Sequence, residues 1–265
     1  MSELSQRSFN AVCEMFRNVS GIKLAPEKRS MVVGRLQKLA TESGSASLDD
    51  FVDRVVRGDD PAQVVKVVDK LTTNETYFFR EPQHFAFLER LLAQRRGGGE
   101  FRVWSAASSS GEEAYSIAMV LADKIGRRGW QIVGTDLSTS VLASARRALY
   151  PMDRTDHMPP GYLKRFCLKG LDEYAGQLLV DKALRANVRF EQANLMQPLP
   201  DIGLFDVIYL RNVLIYFDNE KKAEIVQRVV PQLKPGGYLF TGHSESLSML
   251  KTGLRQIQPA VYART

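Results

Sequence analysis

Residues Phe101–Met119 read FRVWSAASSSGEEAYSIAM, an apolar run that passes through a serine cluster into apolar residues at helical spacing. That succession is the strand, turn and helix start of a parallel crossover unit. The turn carries a single glycine, Gly111, where a dinucleotide fingerprint has three. The helix then opens on two adjacent carboxylates, Glu112 and Glu113.

The same rhythm continues downstream. Strand-like runs fall at FRVWSA, WQIVGTD, VRFEQA, FDVIYLR, GYLFTG and AVYAR, and amphipathic helices at EEAYSIAMVLADKI, SVLASARRAL and NEKKAEIVQRVVPQL. The alternation predicts an α/β domain of Rossmann-like type over residues 100–265. Between Tyr150 and Leu184 the order breaks, and a short strand at QLLVDKAL predicts a small antiparallel β subdomain at about 165–185. Upstream, helical spacing in FNAVCEMF, SMVVGRLQKL, LDDFVDRVV and AQVVKVVDKL predicts an all-helical domain over 1–72. GIKLAP, TESGSAS and RGDDP separate these helices, and a linker with a connecting helix fills 73–99.

Composition narrows the function classes. With 44% hydrophobic and 25% charged residues the chain is of the ordinary soluble globular class. No apolar run reaches the ~18 residues of a membrane span, and MSELSQRSFN lacks the layout of a signal peptide, so a cytoplasmic protein without membrane insertion is expected. Cys13 and Cys167 are too few for a disulfide framework, and His84, His157 and His243 show no metal-ligand spacing, so no metal is expected. The balance of 36 Lys and Arg against 30 Asp and Glu, a net charge of +6, is compatible with a polyanionic partner or with solubility alone.

Ligands of a doubly wound sheet bind at the carboxyl ends of the strands, where Ser105–Gly111 lies. A pyrophosphate there would meet Glu112 and Glu113 and be repelled. The bland alternative is that both acids complement the helix dipole. The next strand ends in Asp136, 25 residues beyond Gly111, where an acid can accept from ribose hydroxyls. A ligand with a ribose, no pyrophosphate and a positive charge satisfies both, and S-adenosylmethionine is such a ligand. Asn194 and Leu195 after VRFEQA suit an adenine, and Arg211, Asn212 and Tyr216 follow the central strand FDVIYL. Each taken alone could be structural.

The motifs TTNETYFFRE, SAASSSGEEAYSIA, GTDLS, ANL, YLRNVLIYF and PGGYLFTGHSES together resemble the CheR chemotaxis-receptor glutamate methyltransferases, in order and over nearly the whole chain. One departure is that many relatives have a cysteine or threonine in the turn and a proline after the acid pair, where this chain has Ala114. The resemblance implies a helical domain, a linker and a cofactor domain with a β subdomain. It implies that Asn74, Thr76 and Arg80 reach the cofactor or reacting centre, that Glu113 holds the methionine ammonium, and that Asp136 holds the ribose. It places Asn194 and Leu195 at the adenine, Leu210, Arg211 and Asn212 at the methionine end, and Tyr216 toward the transferred methyl. Arg80 and Tyr216 are then the expected catalytic pair, with S-adenosylhomocysteine as the product.

Implied partners are the acidic cytoplasmic helices of a chemoreceptor and a receptor C-terminal tether added to an edge strand of the β subdomain; a monomer is expected. Lys28, Arg35 and Lys38, spaced by seven and three, are either one solvated helical face or a docking strip for such a receptor. Two other readings compete. A nucleic-acid methyltransferase is permitted by the charge, but amino-group methylation of bases goes with an Asn-Pro-Pro-aromatic strand end, and this strand end reads LRNVLIYF. A cofactor-binding adaptor without turnover would keep the fold, and the presence of Arg80, Asp136 and Tyr216 speaks against it.

Overall fold

The computed structural model describes residues 4–265. Four helices, α1 (Gln6–Ser20), α2 (Arg29–Glu42), α3 (Leu48–Arg57) and α4 (Pro61–Leu71), build the N-terminal part. Ser5, Ser47 and Asp60 cap α1, α3 and α4 by accepting backbone N–H bonds from Ser8, Asp50 and Ala62. Phe9, Val12 and Phe16 of α1 interlock with Val32, Leu36, Phe51, Val52, Val67 and Leu71 in a core of their own.

Arg35 is half-buried and engaged within the chain. Its Nη1 donates to the carbonyls of Lys70, Leu71 and Thr72 at 3.0–3.1 Å, supplying the donors that the end of α4 lacks. The expected three-residue docking strip is therefore reduced to Lys28, exposed in the short turn before α2, and Lys38, exposed beside Glu42 at 3.8 Å.

After α5 (Pro82–Gln94) come β1 (Phe101–Ala106), α6 (Glu112–Ile125), β2 (Trp130–Asp136), α7 (Thr139–Arg147), β3 (Leu149–Pro151) and α8 (Tyr162–Phe166). The chain continues with β4 (Cys167–Lys169), β5 (Gln177–Val180), α9 (Lys182–Arg185), β6 (Val188–Gln192), β7 (Phe205–Leu210), α10 (Asn219–Val229), β8 (Leu233–Thr241), β9 (Leu254–Gln258) and β10 (Val261–Arg264). The main sheet has the order β6-β2-β1-β7-β8-β10-β9. Its first five strands are parallel, and β10 is antiparallel to both neighbours.

Both faces of the sheet are covered, so the central strands are apolar on both sides. Val103, Ile132 and Val207 point into the core under α5 and α6, while Trp104, Val133 and Ile208 point into the core under α10. The strand order reverses between β1 and β7, which opens a crevice at their carboxyl ends. There Ala106 is level with Thr135 of β2 and with Leu210 of β7, so the loops that follow the three strands face one space.

Two elements differ from the sequence expectation. The small β subdomain is a sheet of order β3-β5-β4 that begins at Leu149, ahead of the expected stretch, because β3 is only three residues long and shows no periodicity. Strand β9, LRQIQ, is also unexpected; it is a polar edge strand whose side chains are mostly exposed, so no alternation of burial marks it.

Candidate active site

The crevice is a cavity of about 300 Å³ closed by both parts of the chain. The sheet side contributes Ser108, Ser109, Glu113, Asp136, Leu195 and Arg211, and the helical side Ile22, Leu24, Lys28, Met31 and Leu71, with Asn74, Thr76 and Arg80 from the linker between them. Gly21 marks a close approach of the two sides. A Cβ there would lie 2.6 Å from Met196 and 2.9 Å from Phe217.

The loop after β1 is held in an unusual course, with Ala107 at φ 64° and Ser109 at φ 49°. Asp136 stabilises it by accepting from the Ser109 amide at 2.9 Å through one oxygen and from the Ser138 amide at 2.9 Å through the other. Burial pushes the Asp136 carboxyl above the usual carboxylate range, against the pull of those amides. Gly111 has φ 96°, and a Cβ on it would meet Ala145 and the Tyr150 hydroxyl at 2.9 Å. The single glycine thus answers to packing against α7 and β3 and not to a phosphate.

The two glutamates at the start of α6 face opposite ways. Glu113 lines the cavity, accepting from Ser105 Oγ at 2.6 Å and from Arg211 Nη1 at 2.8 Å. Glu112 is fully buried away from it, accepting from Ser110 Oγ at 2.7 Å and from Arg154, which also donates to the Thr76 carbonyl at 3.2 Å. Glu112 is therefore more than a complement to the helix dipole: it joins α6 to the β subdomain and the linker. Burial raises both carboxyls above the usual range, opposed by Arg211 and Ser105 at Glu113 and by Ser110 and Arg154 at Glu112.

Arg211, expected at the methionine end, lies on the cavity wall as a buried cation between two carboxylates. Its Nη2 is 3.1 Å from Glu81 Oε2 and donates to the Arg80 carbonyl, while its Nη1 holds Glu113. Asn212 follows at φ 55°, its amide donating to Glu245 Oε2 at 2.7 Å and its Nδ2 to Glu81 Oε1 at 3.2 Å. Glu245 also accepts from the amides of Gly242 at 2.7 Å and Ile215 at 3.1 Å, so one buried carboxylate shapes the loops after β7 and β8. Neither Glu81 nor Glu245 is predicted from sequence. Both stand inside conspicuous motifs, FFRE and GHSES, but their partners are distant in the chain.

Arg80 and Tyr216 both line the cavity, near enough for the Arg80 charge to act on the Tyr216 hydroxyl. The Arg80 guanidinium donates to the Glu75 carbonyl at 2.7 Å and stands 5.8 Å over the Tyr77 ring, with no carboxylate at ion-pair distance among the described residues. Burial raises the Tyr216 hydroxyl above its usual range, Arg80 pulling the other way, so it is a neutral phenol at pH 7. Two expected residues sit differently. Leu210 is fully buried in the sheet core and does not line the cavity. Asn194 lines it, but its side chain is committed, Nδ2 donating to the Val19 carbonyl of α1 at 2.8 Å and Oδ1 accepting from the Met196 amide at 2.9 Å.

Outside the cavity Glu81, His84 and His243 come together, their ligand-type atoms within 4.8 Å of one another. The geometry is unsuited to a shared ion. The His84 and His243 rings stack at 5.1 Å and 21°, so their in-plane lone pairs run side by side, and Arg211 already occupies Glu81 Oε2. Burial, reinforced by Arg211, lowers His84 to about 3, so it is neutral.

The groups on the cavity wall fit S-adenosylmethionine. Glu113 offers a carboxylate for an ammonium and Asp136 one for ribose hydroxyls. The Ser108 hydroxyl, 1% exposed, has no partner among the described residues, and Leu137, Ala193 and Leu195 provide an apolar surface for a purine. The CheR methyltransferase all-alpha domain matches residues 7–72, and the CheR methyltransferase SAM binding domain matches residues 74–263. The chemotaxis protein methyltransferase of Salmonella typhimurium is 38% identical over 98% of this chain and 91% of its own length. That of Borreliella burgdorferi is 33% identical over 98% of this chain and 95% of its own. The solved glycopeptide N-methyltransferase MtfA, complexed with S-adenosylmethionine, is 19% identical over 58% of this chain and 52% of that one, with a TM-score of 0.36. Matched along almost its whole length, in the helical part and in the cofactor-binding part alike, the chain belongs to the CheR methyltransferase family, whose cofactor is S-adenosylmethionine.

Proposed function

We propose that the chain esterifies specific glutamate side chains on the cytoplasmic helices of a chemoreceptor, forming methyl esters for adaptation in chemosensory signalling. One observation carries the reading: the cavity is lined by the Tyr216 phenol and by Arg80, a cation that donates to the Glu75 carbonyl and has no carboxylate at ion-pair distance among the described residues. A carboxylate acceptor, with a free pKa of ~4.3, is ionised at pH 7 and needs no general base.

The cofactor supplies an electrophilic methyl on a sulfonium, and the residues of this chain orient the partners. Glu113 holds the aminoacyl end, Asp136 the ribose, and the surface at Leu195 the purine. Arg80 draws the acceptor carboxylate to the cavity and the Tyr216 hydroxyl orients it. The Arg80 guanidinium steers without clamping, because a carboxylate bound tightly to arginine is a poorer nucleophile. Asn74 and Thr76, on the linker wall, complete the methionine end. Lys28 and Lys38 offer the receptor helix a basic surface. Strand β4 lies at the edge of the small sheet with Leu168 and Leu171 exposed, a place where a receptor tether could add a strand.

The test is to incubate the protein with methyl-labelled cofactor, a receptor cytoplasmic fragment and RNA, and then treat with mild alkali. Label released as methanol from the receptor fragment supports the proposal. Alkali-stable label on RNA would favour a nucleic-acid enzyme, and cofactor binding without transfer would favour an adaptor.

A further inference from the structure

Glu81 does not line the cavity, yet its carboxylate reaches the loops after both β7 and β8. It directly follows Arg80 and takes φ 58°. Oε1 accepts from Asn212 Nδ2 at 3.2 Å, on the loop after β7, and from the His243 amide at 3.4 Å, on the loop after β8. Oε2 is 3.1 Å from Arg211 Nη2 and 3.4 Å from the Nδ1 atoms of both His84 and His243. Arg211 closes the circuit by donating to the Arg80 carbonyl. Burial acts to raise the Glu81 carboxyl, but Arg211, Asn212 and the His243 amide outweigh it and hold it below the usual range.

We propose that Glu81 is a positioning residue for methyl transfer, acting through Arg211 and Asn212 to set the place of Arg80 and Tyr216; this rests on reading that part of the cavity as the transfer site. Arg211 lies between Glu81 and Glu113, so neutralising Glu81 leaves its charge to Glu113 alone. The guanidinium then loses the partner that keeps it against the Arg80 carbonyl. Asn212, four residues before Tyr216, loses its side-chain anchor at the same time. Glu113 keeps Ser105 and, through Nη1, Arg211, and Asp136 keeps the amides of Ser109 and Ser138, so the acids assigned to the cofactor retain all their partners. Glu81 therefore separates orientation from affinity, which a residue of purely structural importance would not do.

The test compares Glu81→Gln with the parent in two measurements. Calorimetric titration with S-adenosylhomocysteine gives affinity, and single-turnover transfer of labelled methyl to a receptor fragment gives the rate. The expected result is a rate loss of roughly 100-fold with a dissociation constant within about threefold of the parent. Glu81→Asp, which keeps the charge on a shorter arm, is expected to recover part of the rate. A rate near that of the parent, or rate and affinity falling by the same factor, would overturn the proposal. Hydrogen exchange in the complex with S-adenosylhomocysteine gives an answer independent of the acceptor. Residues 211–217 and 242–249 should exchange faster in Glu81→Gln, and unchanged exchange would contradict the proposal. A parent that binds cofactor but esterifies no receptor sinks the acceptor assignment instead, and the exchange result then decides on Glu81.

Discussion

The two walls of the cofactor cavity are built on different principles. On the sheet side the buried Asp136 and Arg211 and the half-buried Glu113 line the wall, with the buried Glu245 behind it, and each is held by named partners, some of them backbone amides of loops at positive φ. On the helical side the wall is largely apolar, with Ile22, Leu24, Met31 and Leu71. It is fastened to the sheet side at a few points, Asn194 to the Val19 carbonyl and Asp69 to the start of α7 at Thr139 and Ser140. Under the proposed function the sheet wall would recognise charge and ribose and the helical wall would exclude water. A pre-organised polar site costs no rearrangement when charge enters it.

The strongest way to break this comparison is at the acid pair. Glu113→Gln should raise the dissociation constant for S-adenosylhomocysteine about 10- to 100-fold, the worth of a charge-assisted bond. Glu112→Gln should leave affinity nearly unchanged and instead lower unfolding stability by about 1–3 kcal/mol, because Arg154 loses a buried partner. Calorimetry and thermal melts read the two effects separately. Affinity of the parent should also fall on acidification, starting above the usual carboxylate range because burial raises both Glu113 and Asp136, and Glu113→Gln should leave only the Asp136 part of that dependence.

A second effect comes from the rigid region behind the sheet wall. His84 has its folded pKa lowered from 6.5 to about 3, so unfolding takes up a proton between those values and stability is lost as pH falls below 6.5. From pH 7 to pH 5 the loss is about 2 kcal/mol, and melts of His84→Gln should show a correspondingly flatter profile.

The two walls also differ in how far they were legible in the sequence. The strand-turn-helix at Phe101–Met119 and the place of Glu113 and Asp136 on the cavity wall were readable because each lies in a local pattern at a strand end. The roles of Arg35 and Asn194 were not. Arg35 caps a helix more than thirty residues away, and Asn194 bonds a carbonyl 175 residues away. Nothing near either residue distinguishes a surface cation from a helix cap, or an adenine ligand from a clasp between domains. Glu81 and Glu245 were hidden for the same reason, since a buried carboxylate is recognisable only once its amide partners are in place.

Weaker effects sharpen the helical side. Arg35→Ala should lower stability by about 1 kcal/mol, through the lost cap of α4, with a smaller change in receptor methylation. A large loss of receptor methylation at full stability would restore Arg35 to a docking face. Asn194→Ala removes one clasp between the walls and should weaken cofactor binding about threefold, with the effect expressed mainly as faster release.

The most direct measurement is to map the transferred methyl. After incubation of parent enzyme, labelled cofactor and receptor fragment, proteolysis and mass spectrometry locate the label. The account predicts methyl esters on glutamate side chains of the receptor helices, absent when Arg80 is replaced by alanine although cofactor still binds. Label on amino groups or on nucleic acid, or bound cofactor with no transfer by the parent, would contradict it.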